Sequence, residues 1–315
     1  MNATLSTPSR PGWVEAVART AAGIRLRVLE HTVAHNGGYL SQACSSAEIL
    51  STLYLKTLRL GPSRGPRIPP PFPGVPGPGN HDYATGGAYH GLPAPDLDRF
   101  FLSPAHYALI LYAALVEAGR MDPEGLAQFN RDGSTVEMIG AEHSPGFEMM
   151  GGSLAQTLSQ AAGIALARKR RGDTGRVWAF LSDGEFQEGQ TWEVLQAAAH
   201  YRLDNLGVYV DVNGQQCDGR TRDVMGLDPL DARIEAFGAR AVTVDGHDPE
   251  ALDAAARLAR DGRALVVLCA TDPCRGVPLL EQRRPKLHYV RFASPAEREA
   301  YRQCYETMRD EASRG

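Results

Sequence analysis

A regular alternation of short apolar runs and helical segments in the second half of the 315-residue chain constrains the fold most. The apolar runs predict strands at 176–181, 206–212, 240–244 and 264–269, with helices between them at 188–201, 229–237 and 249–260. Strands that are apolar without interruption are buried on both faces, which is typical of parallel sheets covered by helices. The sequence therefore predicts an α/β fold: a doubly wound, mostly parallel sheet with helices on both faces.

The rest of the chain is predicted to be helical, apart from one long loop. Helices are predicted at 13–30, 45–58, 103–119, 123–130, 153–172 and 295–309, and His35 is expected in the turn after the first of them. Ser103 is expected to cap one of these helices, and Ser153 with Gln156 has the spacing of a capping box. We expect residues 1–315 to form a single domain with a C-terminal helical tail from about residue 293.

The loop covers residues 61–98 and is dense in proline and glycine. Such a composition excludes a regular helix or a central strand. Loops of this length in compact domains are usually functional or mobile. We interpret it as a surface excursion, and we expect its later part, "DYATGGAY" at 82–89, to become ordered near a ligand.

Composition excludes several classes of function. The net charge is −4 and there is no long basic block, so nucleic-acid binding is not expected. The longest apolar runs are too short to span a bilayer, so no membrane association is expected. The five cysteines are scattered without a CxxC pair. This pattern indicates reduced thiols in a cytoplasmic protein and disfavours a disulfide or zinc framework.

Asp183 and Asn213 follow two consecutive predicted strands, separated by one predicted helix. Ligands of doubly wound sheets bind beyond the carboxyl ends of the strands, so these side chains are expected close together in space. Their oxygens suit Mg²⁺, and Gly184, which lacks a Cβ, lets a backbone N–H approach a phosphate. The spacing alone leaves a second interpretation open, because Asp-Gly and Asn-Gly also form ordinary turns after strands.

Four segments carry a resemblance to a known family. The stretch "DGEFQEGQTWEVLQAAAHYRLDNLGVYVDVNGQQCDG" resembles the thiamine diphosphate signature of the transketolase family, "GDGE-QEG--WEA---A-H--LDNL----D-N--Q-DG". Three further segments resemble other family motifs: "AHNGGYLSQACSSAEILSTLY", "DRFFLSPAHYALILYAALVEAG" and "PGFEMMGGSLAQTLSQAAGIALA". Together they extend over most of the range from 13 to about 292. The resemblance implies the thiamine-diphosphate-binding fold, as the domain that holds the cofactor's diphosphate.

The resemblance also implies cofactors and site residues. The cofactors are thiamine diphosphate and Mg²⁺ (or Ca²⁺). The implied residues are the metal ligands Asp183, Asn213 and, through its carbonyl, Gln215; the cofactor contacts Gly152, Leu154, Gly184 and Glu185; the substrate-facing histidines His35, His106 and His288; and a subunit contact at Glu188. Histidines suit a reaction that moves protons on and off hydroxyl groups, because imidazole titrates near neutral pH.

The chain departs from the family pattern at several positions. Ser182, Ala155 and Thr157 stand where the family has glycines. The family's "GGHP" histidine has no direct counterpart, and His143, a few residues later, is the candidate replacement. These changes and the long loop leave the usual sugar phosphate substrate in doubt.

The family also has a pyrimidine-binding domain, with a glutamate that activates the cofactor, and this sequence does not include it. The resemblance therefore implies a separately encoded C-terminal partner subunit, in an α2β2 assembly. The expected activity is transfer of a two-carbon ketol unit from a ketose donor to an aldehyde acceptor. Two alternatives stay open: an acyloin-forming or decarboxylating ligase that uses a 2-oxoacid or another non-sugar donor, and a non-catalytic cofactor-binding subunit.

Overall fold

The computed structural model describes residues 12–81, 83 and 85–314. Its strands are β1 (Arg99–Leu102), β2 (Val177–Ser182), β3 (Leu206–Val212), β4 (Gln215–Gln216), β5 (Gly219–Arg220), β6 (Arg240–Asp245) and β7 (Leu265–Ala270). Five of them form one sheet in the order β1-β2-β3-β7-β6, and each neighbouring pair is parallel. β4 and β5 form a small antiparallel hairpin directly after β3. The predicted α/β fold with a parallel sheet is confirmed.

Ten α-helices accompany these strands in the described residues. They are α1 (Gly12–His35), α2 (Leu40–Thr52), α3 (Ala108–Glu117), α4 (Pro123–Leu126), α5 (Gln156–Arg171), α6 (Gly189–His200), α7 (Thr221–Met225), α8 (Leu230–Ala236), α9 (Pro249–Ala256) and α10 (Pro295–Ala312). α10 packs on α1, where the Arg298 guanidinium donates to the carbonyls of Val33 and Ala34 at 2.7 Å each. Within the described ranges, no helix combines the length and hydropathy that crossing a membrane requires.

Two hydrophobic cores lie on opposite faces of the sheet. Along β2, Trp178 and Phe180 belong to one core, while Ala179 and Leu181 belong to the other. The first core also contains apolar side chains of α1, α2, α3 and α9, and the second contains those of α5, α6 and α8. Successive side chains of a strand point to opposite faces, so an unbroken apolar strand fills both cores at once. The helices thus cover both faces of the sheet, as predicted.

Three local predictions were wrong. α5 begins at Gln156 without a side-chain cap, and Ala155 before it has a left-handed conformation with φ of 68°. No capping box forms with Ser153. Ser103 does not cap a helix either, because its hydroxyl donates to the Glu185 carboxylate. His35 is the last residue of α1 rather than part of a turn.

The proline- and glycine-rich loop is anchored near its end. Residues 86–90 form a short 3₁₀ helix, an element that the composition did not predict. His90 Nε2 lies 2.9 Å from the Tyr54 hydroxyl, and His90 Nδ1 lies 2.9 Å from Glu148 Oε1. A Cβ on Gly86 would lie 1.8 Å from the Ser144 carbonyl oxygen, so this close approach requires glycine. Positions 82 and 84, and the predicted domain limits 1 and 315, lie outside the described residues.

Candidate active site

The site is built at the carboxyl ends of β2 and β3, which are neighbours in the sheet. Asp183 follows β2 and Asn213 follows β3, as their positions in the sequence predict. The Gly214 N–H donates to Asp183 Oδ2 at 3.0 Å, and the Thr221 hydroxyl donates to the same oxygen at 3.2 Å. The two strand ends therefore meet, although thirty residues separate Asp183 from Asn213 in the chain.

The other carboxylate oxygen of Asp183 is free. Oδ1 is buried and has no hydrogen-bond partner in the described part of the chain. Burial raises the pKa of the Asp183 carboxyl to about 7, and the nearby Asp211 carboxylate adds to this effect. A buried oxygen without a partner costs free energy, and a bound cation would satisfy it and favour ionisation. The geometry of Asp183 therefore fits a metal ligand.

Asn213 is held in one orientation by a buried network around Asp211. Its Nδ2 donates to Asp211 Oδ2 at 3.0 Å and to the Tyr107 hydroxyl at 3.2 Å. Asp211 also accepts hydrogen bonds from Ser45, Tyr107 and Thr271 at 2.6, 2.8 and 2.6 Å. Because the amide nitrogen is fixed on this side, Asn213 Oδ1 points the other way, where it accepts the Gln215 N–H at 2.9 Å.

A cavity of about 330 Å³, called here the central cavity, opens beside these strand ends. Its lining includes Tyr39, Gln42, His106, Tyr107, Met138, Ile139, Gly152, Leu154, Ser182, Gly184, Gln187, Glu188, Asn213, Gln215, Cys217 and His288. At Gly184, the nearest atom to an added Cβ is Gln216 Cβ at 3.9 Å, so the protein leaves room there for a ligand. Gly152 has φ of 105°, a conformation that favours glycine.

Two of the predicted histidines face each other in the central cavity. The rings of His106 and His288 lie 4.9 Å apart between centroids, and Tyr39 packs against both. Burial lowers the pKa of His106 to about 3, with a smaller contribution from His288, and burial also lowers the pKa of His288. Gln42 Nε2 lies 3.2 Å from His288 Nδ1 and fixes that ring. Both imidazoles are therefore neutral at physiological pH and can donate or accept a hydrogen bond.

The other two predicted histidines are not in the central cavity. His35 lines an adjoining cavity, of about 310 Å³, that shares Tyr39 and Met138 with the central one. His143 lines neither cavity: its Nε2 lies 3.2 Å from Glu137 Oε2, and its ring packs on Phe72. The structure therefore does not place His143 where it could replace the missing family histidine.

The two glutamates of the motif have different surroundings. Glu185 is fully buried, and its carboxylate accepts hydrogen bonds from Ser103, from the Ala155 N–H at 2.8 Å and from the Ser182 N–H at 3.0 Å. Glu185 does not line the central cavity, so it does not make the direct cofactor contact that the resemblance implies. Its carboxylate instead holds the Ser103 hydroxyl and the backbone N–H groups of Ala155 and Ser182 in place. Glu188 is exposed at the rim of the cavity, where a partner chain could reach it.

Sequence reasoning missed the groups that support the site. Tyr39, Gln42 and Asp211 were not selected, although Asp211 carried a usable signal. It lies two residues before Asn213, and alternate residues of a strand share a face. A larger cavity, of about 890 Å³, shares Asn213 and Gln215 with the central cavity and is also lined by Asp183. Two of the three metal-ligand candidates thus line both cavities.

Comparison with known proteins identifies the family. Residues 93–288 match the family described as "Transketolase, thiamine diphosphate binding domain". A putative transketolase family protein of Sinorhizobium fredii is 36% identical over 286 residues, which cover 90% of this chain and 92% of the relative. The chain belongs to the transketolase family. As a member with this domain, it is a transferase that binds thiamine diphosphate.

Relatives of two lengths match this transketolase-family chain. One of the subunits of the apulose-4-phosphate transketolase of Actinobacillus succinogenes is 30% identical, with 80% of this chain and 82% of the relative covered. Human transketolase is 31% identical over 86% of this chain, but the match covers only 39% of the human protein. The chain therefore spans most of the length of the subunit relative and less than half of the length of human transketolase.

Solved transketolase structures share its fold. The Campylobacter jejuni enzyme gives a TM-score of 0.65 at 19% identity, with 97% of this chain and 48% of that chain covered. A Pichia stipitis transketolase variant gives 0.67 at 22% identity, with 95% and 45% covered. At these identities the likeness concerns the fold alone, and it agrees with the parallel sheet described above.

Proposed function

We propose that this chain is the N-terminal subunit of a two-component transketolase, which transfers a two-carbon ketol unit from a ketose to an aldehyde. The observation that carries the proposal is the unpartnered, buried Oδ1 of Asp183 beside Gly184, next to the His106–His288 pair. The names of two relatives support it. One belongs to an apulose-4-phosphate transketolase, and the other to a 6-deoxy-6-sulfo-D-fructose transketolase from a Clostridium species, and both are named as single subunits of these enzymes.

The metal and the diphosphate are assigned to the strand ends. Asp183, Asn213 and the Gln215 carbonyl are proposed to hold Mg²⁺ or Ca²⁺, since hard cations prefer oxygen ligands. Two observations support this assignment. Asp183 Oδ1 has no hydrogen-bond partner among the described residues. The hydrogen bonds that Asn213 Nδ2 donates to Asp211 and Tyr107 direct Asn213 Oδ1 to the opposite side. The Gly184 N–H is proposed to bind the diphosphate, because no Cβ blocks its approach.

Four residues are assigned to the reactive end of the cofactor and the substrate. Thiamine diphosphate supplies the carbanion chemistry, and the protein supplies binding, orientation and electrostatics. Gly152 and Leu154, which line the central cavity, are proposed to contact the cofactor near its pyrimidine end. His106 and His288 are proposed to exchange protons with substrate hydroxyls. Neutral imidazoles can do this without placing a second positive charge beside the thiazolium.

We propose a pyrimidine-domain partner subunit in an α2β2 assembly. Glu188 is exposed at the cavity rim and is the proposed subunit contact. Ile139 is 56% exposed and Met150 62% exposed, so apolar surface next to the cavity is available for a partner to cover.

We further propose that residues 1–315 act as one domain and that the enzyme is cytoplasmic, in keeping with five free cysteines.

Reconstitution with the candidate partner tests this function. The purified chain should show no turnover alone, and the complex should convert a ketose and an aldose in the presence of thiamine diphosphate and Mg²⁺. Asp183→Ala should abolish this activity. Release of carbon dioxide from pyruvate, without ketol transfer from any ketose, would instead support the ligase alternative. Full turnover by the chain alone would contradict the two-subunit proposal.

A further inference from the structure

A small cavity lies at the amino ends of the strands, away from the candidate active site. It measures about 270 Å³ and is called here the basic cavity. Five cationic side chains line it: Lys56, Arg59, Arg176, Arg257 and Arg260. Arg176 directly precedes β2, whereas Asp183 directly follows it. At about 3.3 Å per residue, the two ends of this segment lie roughly 20 Å apart, so the basic cavity is separate from the central cavity.

Two carboxylates also line the basic cavity, and both already have partners. Asp98 Oδ1 accepts the Arg176 N–H at 2.7 Å, and Asp98 Oδ2 accepts the Arg59 N–H at 3.0 Å. The Arg59 guanidinium lies 3.4 Å from Asp98 Oδ1. Asp253 Oδ2 accepts a hydrogen bond from Arg257 Nε at 2.8 Å. The two acidic side chains therefore balance Arg59 and Arg257 and leave the other three cations uncompensated.

Lys56, Arg176 and Arg260 form no ion pair with any residue that the structure describes. Arg176 Nη1 donates to the Ala256 carbonyl at 2.8 Å, and Arg260 Nη2 donates to the Thr174 carbonyl at 3.0 Å. These bonds hold both guanidinium groups in place without neutralising them. Burial, with a smaller contribution from the charge of Arg260, lowers the pKa of Arg176. Like charges thus lie close together at this cavity, an arrangement that a bound anion would relieve.

Two buried donors at the basic cavity have no acceptor. Arg176 Nε and Trp178 Nε1 are buried and have no hydrogen-bond partner in the described part of the chain. Trp178 is only 2% exposed, and the Arg176 guanidinium lies over its ring at 4.7 Å from the centroid. A buried polar group without a partner costs free energy. Because both groups are donors, the partner that each lacks is an acceptor.

We propose that the basic cavity binds a phosphate oxyanion, either inorganic phosphate or the phosphate group of a small molecule, at a site remote from the reacting centre. The guanidinium groups of Arg176 and Arg260 hold the phosphate oxygens, and Lys56 adds a third positive charge. Lys56, Arg257 and Arg260 are exposed, so the remainder of a phosphorylated molecule projects into solvent. A single small cavity with converging cations suits one compact tetrahedral group better than an extended acidic segment of a protein.

Calorimetric titration of the purified chain with inorganic phosphate and with a phosphate monoester, at constant ionic strength, tests the proposal. We expect saturable binding that Arg260→Gln weakens by ~10- to 100-fold, the range expected for loss of a charged hydrogen bond. Lys56→Gln should weaken it by a smaller factor. Both side chains are exposed, so thermal unfolding without phosphate should show that the variants remain folded. Tighter binding of the monoester would identify a phosphorylated molecule as the ligand, and equal affinities would identify phosphate itself; both results support the site.

Arg275→Gln is the matched control, because Arg275 is an exposed arginine that follows β7 at the opposite end of the sheet and lines none of the cavities described above. This variant has the same change of charge and should bind phosphate within about twofold of the unsubstituted chain. Phosphate bound beside Gly184 would be insensitive to Arg260→Gln, so an unchanged affinity in that variant would overturn the proposal. Equal weakening by Arg275→Gln, or binding of a polyglutamate peptide without any binding of phosphate, would also overturn it.

Discussion

The charge of Asp183 should make the metal-free chain less stable at alkaline pH. Burial raises its folded-state pKa from the ordinary 3.8 to about 7, so the folded chain retains a proton that the unfolded chain releases. Stability from this group is fully present below about pH 4, is lost as pH rises towards 7, and is constant above that value. At about 1.4 kcal/mol per pKa unit, the whole effect is roughly 4 kcal/mol.

The assay is denaturant unfolding of the purified chain in chelator, at about pH 5 and about pH 8.5. Integration of the linkage relation between these values gives a loss of roughly 3 kcal/mol from Asp183 alone. Asp183→Asn keeps the side-chain shape without the charge, so the variant should lack this part of the loss. Glu185 and Asp211 also have raised pKa values and are present in both proteins, so the difference between the proteins reports Asp183 together with its coupling to Asp211.

The metal gives the second half of the test. Mg²⁺ with thiamine diphosphate should stabilise the unsubstituted chain at pH 8.5, by the mass-action effect of binding to the folded state. Asp183→Asn should respond little, because the variant lacks the free carboxylate oxygen. If the two proteins lose the same free energy of unfolding between the two pH values, our account of the buried carboxylate is wrong. If both gain equal stability from the metal and cofactor, Asp183 is not a metal ligand.

Three further predictions concern the central cavity. Gly184→Ala should change the free energy of unfolding by less than ~0.5 kcal/mol, because the protein leaves space for the Cβ. The same substitution should weaken thiamine diphosphate binding at least ~10-fold in calorimetric titration. Equal affinity of the two proteins would show that the diphosphate does not bind at Gly184. His106→Gln should lower kcat of the complex by ~10²- to 10⁴-fold with little change in cofactor affinity, and an unchanged kcat would exclude a proton-transfer role. Glu188→Gln should weaken association with the partner subunit in analytical ultracentrifugation while leaving the free energy of unfolding of the isolated chain unaltered, since Glu188 is exposed; unimpaired assembly would contradict the subunit contact.

Much of the fold could be predicted because its signals are local. The strand at 206–212 was predicted with its observed limits, since a parallel strand buried on both faces is apolar throughout. β1 was missed because four residues, Arg99–Leu102, are too few for a period to be recognised. The capping box at Ser153 was wrong because a tertiary contact replaced it: Glu185 accepts the Ala155 N–H at the start of α5. The motif at the strand ends correctly indicated that Asp183 and Asn213 would meet.

The substrate side of the site was harder to predict. His106 and His288 are 182 residues apart in the chain but adjacent in space, and only the fold brings them together. His35 matched a family motif and His143 was only a candidate replacement; His35 lines the cavity that adjoins the central one, and His143 packs on Phe72. A single sequence does not encode the direction of a side chain at the end of a helix or within an irregular segment. That direction depends on neighbours supplied by distant parts of the chain.

The sequence by itself determined the parallel sheet, the family and the residues at the strand ends, because apolar periodicity and a contiguous motif are properties of neighbouring positions. The tertiary structure decided which oxygen of Asp183 is free and which histidines share a cavity. These outcomes depend on burial and on hydrogen bonds between residues far apart in the chain. Tertiary packing determines both the burial and these hydrogen bonds, and neither can be predicted from the pattern of neighbouring residues.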